Sequence, residues 1–213
     1  MIAHVQIEIR PATLADLPTL ERRCWRGGEA EMRQRIREQG TCSILGLDAG
    51  RPIAQLYLRE YRAGFRSPNS LHDGSWWADL KGVEDAVSLS PRTLMLGCWH
   101  VGRVRDPDGT ERDAEEYRGQ GLGVGLLRAA VDWLRSPGSR YDALAAKGTD
   151  SEDRGYIGWV GGLPASAFES LGFERLASFD DPYFVAEPEV VPAEAVAEHP
   201  ARFHLMRLGR DDR

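Results

Sequence analysis

The stretch Tyr117-Arg118-Gly119-Gln120-Gly121-Leu122-Gly123 follows an apolar run of strand length, Thr93–Val104, and an acidic connection. It opens a segment in which Leu122, Leu126, Leu127, Ala130, Val131 and Leu134 recur at helical spacing, with Arg128, Asp132 and Arg135 on the other side. A strand, a glycine turn and an amphipathic helix in that order present the first helical N–H groups at the positive end of the helix dipole. That is a place for an anion. Gly119, Gly121, Gly123 and Gly125 withdraw side chains, so phosphate oxygens can approach the backbone, and Arg118 adds a formal positive charge. Glycine costs roughly 1 kcal/mol against alanine in a helix, so four at one helix start call for more than close packing.

Two familiar phosphate turns fail on spacing. A dinucleotide fingerprint begun at Gly119 needs Gly or Ala where Val124 stands, and one begun at Gly121 meets Leu126. A P-loop needs Gly-Lys followed by Ser or Thr, and the chain has no such run.

Outward from the turn, Val5–Arg10 alternates as a half-buried strand, and Thr13 with Asp16 forms a capping box for a helix to about Trp25. A second helix is expected over Glu29–Gln39, ended by Gly40. Thr41–Leu47, the turn Asp48–Arg51 and Pro52–Tyr61 read as a hairpin. Arg62–Pro91 carries mixed signals and reads as a long connection on the substrate side. Thr93–Val104 is expected to be a central strand buried on both faces. After the helix, Pro137 and Gly138 make a break, Tyr141–Lys147 a strand, and Gly148–Gly162 a polar loop. A short helix over Pro164–Leu171 stops at Gly172, and Phe173–Phe179 and Arg202–Leu208 supply two last strands. Between these, roughly residues 184–201 form an irregular arm rich in Pro, Glu, Ala and Val.

The 213 residues suffice for one well-buried domain, and a single domain over 1–213 is expected. No run approaches the ~18 apolar residues of a membrane span. The N-terminus lacks the basic start and apolar core of a signal peptide. Cys24, Cys42 and Cys98 are odd in number and scattered, which excludes a disulfide framework and a CxxC metal pair and points to a cytoplasmic setting. A net charge of −6 argues against nucleic acid as the main partner. Between Asp106 and Glu116, six acidic residues face Arg112 alone, a net of −5 that reads as a solvated loop or as a rim attracting a cationic acceptor.

The run Arg118-Gly119-Gln120-Gly121-Leu122-Gly123, preceded by Tyr117, resembles the acetyl-CoA signature Gln/Arg-x-x-Gly-x-Gly/Ala of the GNAT (GCN5-related N-acetyltransferase) superfamily. Ile9-Arg10-Pro11-Ala12 before a capped helix looks like the usual GNAT opening, and Phe168-Glu169-Ser170-Leu171-Gly172-Phe173 like its late aromatic-x-x-Leu-Gly-Phe segment. In this order the matches cover roughly residues 5–180. The resemblance implies an α/β (α+β) fold with a mixed, mostly antiparallel sheet. That sheet is flanked by helices and splayed between its fourth and fifth strands, after Thr93 and Tyr141, with the pantetheine arm lodged in the gap. It also implies acetyl-CoA or another acyl-CoA as cosubstrate, no metal, and a primary amine of a small molecule or peptide as acceptor. Neither nucleic acid nor membrane is an expected partner, and homodimerisation is left open. Arg118, Gly119, Gln120, Gly121, Leu122 and Gly123 would hold the pyrophosphate, with Val101 and Phe168 completing the cofactor site.

Acyl transfer to an amine needs a neutral nucleophile, whereas an alkylamine with a pKa near ~10.4 is mostly protonated at neutral pH. A base must take the proton, and a backbone N–H must stabilise the carbonyl oxygen as it gains charge. By resemblance that N–H falls near Val101 and Gly102. Members that use a glutamate base have no counterpart here, since Arg92–Val104 holds no carboxylate. His100 is the titrating residue of that strand; Asp79, Glu84 and Asp85 in the preceding connection are alternatives. Where many members carry a Tyr that protonates the departing thiolate, this chain has Phe168. A thiol with a pKa of ~8.5 can leave as thiolate at a cost of roughly 2 kcal/mol near neutrality. Tyr156, Ser166 and Cys98 are substitutes for that acid, and Cys98 is also weighed as an acyl-carrying nucleophile. Trp76, Trp77, Trp99 and Trp159 fall in segments expected to border the acceptor pocket. The rival readings are a GNAT-like acyl-CoA sensor with little catalysis, and a biosynthetic acyltransferase drawing on a carrier-protein thioester or an aminoacyl-tRNA.

Overall fold

The computed structural model describes residues 7–20, 28–61, 89–105, 108, 110–153, 157, 162–180 and 202–211. The expected helix end to Trp25, the connection bearing Trp76, Trp77, Asp79, Glu84 and Asp85, the loop residues Tyr156 and Trp159, and the arm at 184–201 lie outside them. The described strands are β1 (Ile7–Pro11), β2 (Ser43–Asp48), β3 (Arg51–Glu60), β4 (Thr93–Val101), β5 (Arg103–Arg105), β6 (Glu111–Asp113), β7 (Ala143–Thr149), β8 (Leu163–Pro164), β9 (Glu174–Asp180) and β10 (Arg202–Gly209). The helices are α1 (Gly28–Gln39), α2 (Leu122–Arg135) and α3 (Ala165–Glu169). One large mixed sheet takes the strand order β1-β2-β3-β4-β7-β10-β9, with β8 on β7.

The chain divides into two compact units, Met1–Leu58 with Cys98–Arg140, and Arg59–Gly97 with Tyr141–Arg213. In the first, β1, β2 and β3 form an antiparallel meander. Its β2–β3 hairpin closes through Ala49 and Gly50, both left-handed (φ 48° and 80°), the two-residue turn whose twist matches paired strands. Leu126, Leu127, Ala130, Val131 and Leu134 of α2 are buried, and α2 packs on β1 and β2. Full burial of such a Leu or Val is worth roughly 1.5–3 kcal/mol. A second patch of core joins Leu17, Leu20, Met32 and Ile36 to Leu45, Leu47, Tyr57 and Cys98.

Two expectations in this unit change. The capping box at Thr13 is present, with Asp16 accepting from the Thr13 N–H at 2.7 Å, yet the chain continues as a 3-10 turn, Leu14–Thr19, containing Pro18. Proline lacks the N–H that an α-helix would use at that position. The acidic stretch before the glycine turn contains a two-stranded ribbon, β5 on β6, with Arg103 opposite Asp113 and Arg105 opposite Glu111. The −5 counted from Asp106 to Glu116 is flanked in the chain by Arg103, Arg105 and Arg118, so the window Arg103–Arg118 carries a net of −2.

In the second unit, β4 runs parallel to β7, β7 antiparallel to β10, and β10 antiparallel to β9. The parallel ladder covers Thr93–Leu96 against Ala143–Ala146 and goes no further, although β4 continues to Val101 and β7 to Thr149. Tyr61, Leu89, Met95, Ala145 and Leu205 form the local core. α3 lies close on β7, where a Cβ on Gly148 would sit 3.0 Å from Ala165 Cα.

Candidate functional site

The glycine turn is built as its sequence requires. Gly119 and Gly121 are both left-handed (φ 72° and 76°), and Gly121 is the N-cap of α2. The first helical bond runs from the Gly125 N–H to the Gly121 carbonyl at 3.0 Å. A glycine cap brings no side-chain acceptor, so the N–H groups of the first turn face outward at the dipole's positive end. Among the described residues beyond its chain neighbours, a Cβ on Gly121 would meet nothing within 4 Å, so none of them crowds the cap. Gly125 serves packing instead, since a Cβ there would lie 2.8 Å from Ile9 Cδ1 and its bareness lets α2 settle on β1.

The turn is tied down on both flanks. The Tyr117 hydroxyl donates to Asp48 at the β2–β3 hairpin, and that bond holds the phenol pKa above its ordinary value. Arg118 reaches the Val101 carbonyl with Nε at 3.5 Å, Asp113 with Nη2 at 3.0 Å and Glu115 with Nη1 at 3.5 Å. Its charge is thus shared with two carboxylates before any anion arrives. The Gln120 amide turns back to the Glu116 carbonyl. Beneath Arg118 lies Gly102, left-handed (φ 73°), whose carbonyl accepts from the Ala114 N–H at 2.7 Å. A Cβ on Gly102 would stand 2.6 Å from the Ala114 oxygen and 3.1 Å from Arg118 Cγ.

The end of β4 is shaped by the same contacts. The Gly102 N–H is used by the Ile53 carbonyl of β3 at 2.9 Å. Because the peptide is planar and trans, the Val101 carbonyl points away from β3, and the Val101 N–H of this extended residue points the same way. Of the two backbone donors named from sequence, Val101 is the one directed away from β3, toward the side where Arg118 sits. His100 is half-buried and sets its ring edge-on to the buried Tyr57, centroids 5.4 Å apart and planes at 89°. Cys98 is left-handed within a strand (φ 53°), an uncommon conformation for a residue with a Cβ. Its side chain belongs to the core that contains Tyr57 and Leu45, which leaves little access for an acyl-carrying role. Trp99 is buried as well.

In the second unit, Phe168 is fully buried and stacks edge-to-face on Phe173 at 5.3 Å. Ser166 donates to Glu152 at 2.6 Å. In the first, burial pushes the Cys42 thiol up to about 11, so it is inert at neutral pH.

By sequence alone, no family model and no curated protein matches this chain. Solved structures match along nearly its whole length. The Drosophila melanogaster polyamine N-acetyltransferase, which forms N-acetylagmatine, is 14% identical, with 96% of this chain and 100% of that chain covered at a TM-score of 0.54. The fold is that of the GNAT acetyltransferases. An agmatine N-acetyltransferase mutant in its apo form is 14% identical, covering 95% of this chain and 99% of that one at a TM-score of 0.56. A mosquito arylalkylamine N-acetyltransferase-like protein is 12% identical, covering 96% and 100% at 0.54. Within this GNAT fold the glycine turn and the end of β4 stand in the same unit, joined through Arg118. Sequence reasoning missed the Asp48–Tyr117 tie and the β5–β6 ribbon. The ribbon had a signal, since Pro107-Asp108-Gly109 is turn chemistry between two short alternating runs. The tie had none, because it joins residues 69 apart in the chain.

Among the described residues no helix is long and apolar enough to cross a membrane, and no group of three or more His, Cys, Asp or Glu side chains could hold a metal.

Proposed function

We propose that the protein is an N-acyltransferase that moves an acetyl or related short acyl group from CoA to a primary amine of a small molecule. The observation that carries this reading is the bare cap of α2: left-handed Gly119 and Gly121, no described residue beyond the chain neighbours crowding Gly121, and outward N–H groups suited to a pyrophosphate. Gly119, Gln120, Gly121, Leu122 and Gly123 hold the phosphates through the backbone. The Val101 N–H lies on the side of β4 that faces Arg118 and stabilises the carbonyl oxygen as charge develops. The three GNAT-fold neighbours are named for polyamine, agmatine and arylalkylamine acceptors, which favours a small amine. The scattered cysteines favour a cytoplasmic site of action. Titration calorimetry with acetyl-CoA, followed by thiol release over a panel of amines, tests the reading. Tight CoA binding with no thiol release from any amine would establish the sensor reading instead.

His100 is the base in this scheme, directly or through water. His100→Ala is expected to lower kcat about a hundredfold at neutral pH, in line with general-base contributions, and to recover part of it in alkali where free amine is abundant. An unaltered pH–rate profile removes His100 from the mechanism.

Releasing Arg118 should strengthen CoA binding. The Asp113 partner is 61% exposed, and exposed pairs are worth about 0.2–1 kcal/mol. Asp113→Asn is therefore expected to raise CoA affinity by up to about fivefold at low salt, an effect that fades when the Debye length shrinks to ~3 Å at 1 M salt. Weaker binding of CoA to this variant would show that Asp113 positions Arg118 productively.

A further inference from the structure

Three neighbouring strands place a serine, a histidine and an aspartate in line, away from the glycine turn. Ser178 on β9 stands directly opposite His204 on β10, and its Oγ is 2.7 Å from His204 Nδ1. His204 Nε2 is 2.7 Å from Asp150 Oδ1, just past the end of β7. His204 is 3% exposed, whereas Ser178 is exposed. The imidazole is thus covered, and the hydroxyl at its end is open.

The register explains how the charged neighbours join them. Leu205 pairs with Ala177 but Met206 pairs with Arg175, so Leu176 is an extra residue in β9. One extra residue reverses the alternation and turns Arg175 to the face that carries Ser178 and His204. Arg175 Nη1 then lies 3.4 Å from Asp150 and 3.1 Å from His204 Nε2, while its Nε and Nη2 clasp Glu169 of α3 at 3.2 and 3.0 Å.

The carboxylate decides the tautomer. Were Nε2 a bare lone pair, it would face the Asp150 oxygen at 2.7 Å, acceptor against acceptor. In the neutral ring the proton therefore sits on Nε2 and is donated to Asp150. Nδ1 is left as an acceptor for the Ser178 hydroxyl. Arg175 cannot donate to that protonated nitrogen, so its role is to hold Asp150 in place from Glu169. A nucleophile, a base within hydrogen-bond reach and a carboxylate orienting the base are the parts of an activated hydroxyl.

We propose that Ser178 is an acyl-accepting nucleophile, with His204 as its base and Asp150 as a positioning residue, and that it reacts with small activated carboxylic esters. Ser178 Oγ attacks the carbonyl carbon and its proton passes to His204 Nδ1. The carbonyl–oxygen bond to the leaving group breaks, and that oxygen departs with the electron pair and takes the proton from His204 Nδ1, leaving as the alcohol or phenol. Water then gives a proton to the freed Nδ1 as it attacks the seryl ester, and Ser178 Oγ leaves with that proton, giving the carboxylic acid and restoring the hydroxyl. The reaction needs neither CoA nor an amine, so it stands or falls independently of the acyltransferase reading.

The test is p-nitrophenyl acetate with the full chain, free of CoA. The expected result is a burst of nitrophenolate approaching one per chain, with one acetyl group on the peptide containing Ser178 by mass spectrometry. Ser178→Ala, at an exposed position, should abolish the burst while leaving the fold intact. His204→Gln should slow it at least tenfold. Asp150→Asn should slow it too and shift its pH profile, because the tautomer is no longer fixed. An equal burst from Ser178→Ala, or acetyl groups confined to lysines or to other serines, overturns the proposal. If His204→Gln does not fold, the Ser178→Ala and Asp150→Asn results decide.

Discussion

Gly121→Val is expected to abolish measurable CoA binding, a loss of at least a hundredfold, in a protein that remains folded. Two effects act together at this residue. A β-branched side chain at φ 76° is strained by roughly 1–2 kcal/mol, and its Cβ would meet nothing within 4 Å among the described residues beyond its chain neighbours, so its bulk stands at the helix cap itself. The strain falls on the fold, whereas the bulk falls on the ligand. Gly28 supplies the control: it too is left-handed (φ 56°), with nothing among the described residues within 4 Å of an added Cβ, and it starts α1 rather than the glycine turn. Gly28→Val should lose similar stability yet bind CoA as the parent does. Calorimetry on both variants checks this, with melting curves alongside. If the two lose CoA affinity equally, the turn at Arg118–Gly123 is not the phosphate site.

The largest stability effect should come from Gly102→Ala. Its methyl would stand 2.6 Å from a backbone oxygen, that of Ala114, which cannot rotate away as a side chain could. The left-handed conformation (φ 73°) adds its own penalty. The Gly102 carbonyl also holds the Ala114 N–H, so relief by backbone movement breaks a hydrogen bond. A loss on the order of 3 kcal/mol is expected, readable as a lower urea midpoint. Because the same movement displaces Arg118 from the Val101 carbonyl, CoA affinity should fall with stability. A variant within about 0.5 kcal/mol of the parent, the usual range of harmless surface changes, would mean that the end of β4 is softer than its contacts suggest.

The fold was legible wherever one local pattern had one outcome. The 3.6-residue period over Leu122–Leu134 yields α2 nearly to the residue, and the apolar run from Thr93 yields the start of β4 but overruns its end at Val101. Local signals misled where a neighbouring residue overrode them. Thr13 and Asp16 made their capping box, but with Pro18 inside it the described segment is a 3-10 turn. Thr93–Val104 read as one strand because its apolar content is continuous, and Gly102 breaks it through backbone conformation rather than polarity. The candidate site was half legible. Gly119 and Gly121 announced themselves, since the need for bare, left-handed backbone is written in residue type. The use Arg118 makes of its charge was not, because its partners Asp113 and Glu115 act through three-dimensional placement. The pairing of Ser178 with His204 depends on strand register and on an extra residue at Leu176, neither of which residue type records.

The two ties on the glycine turn have a consequence for how the proposed CoA would be met there. Tyr117 is tied to Asp48 and the Arg118 Nε to the Val101 carbonyl, so the backbone leading into α2 is held before anything binds. Ordering a loop on association normally subtracts from affinity, by about 0.5–1.5 kcal/mol for each side chain immobilised. Here that entropy is lost during folding. The turn is preorganised, and association should approach lock-and-key behaviour, with an on-rate set by diffusion and charge rather than by loop closure.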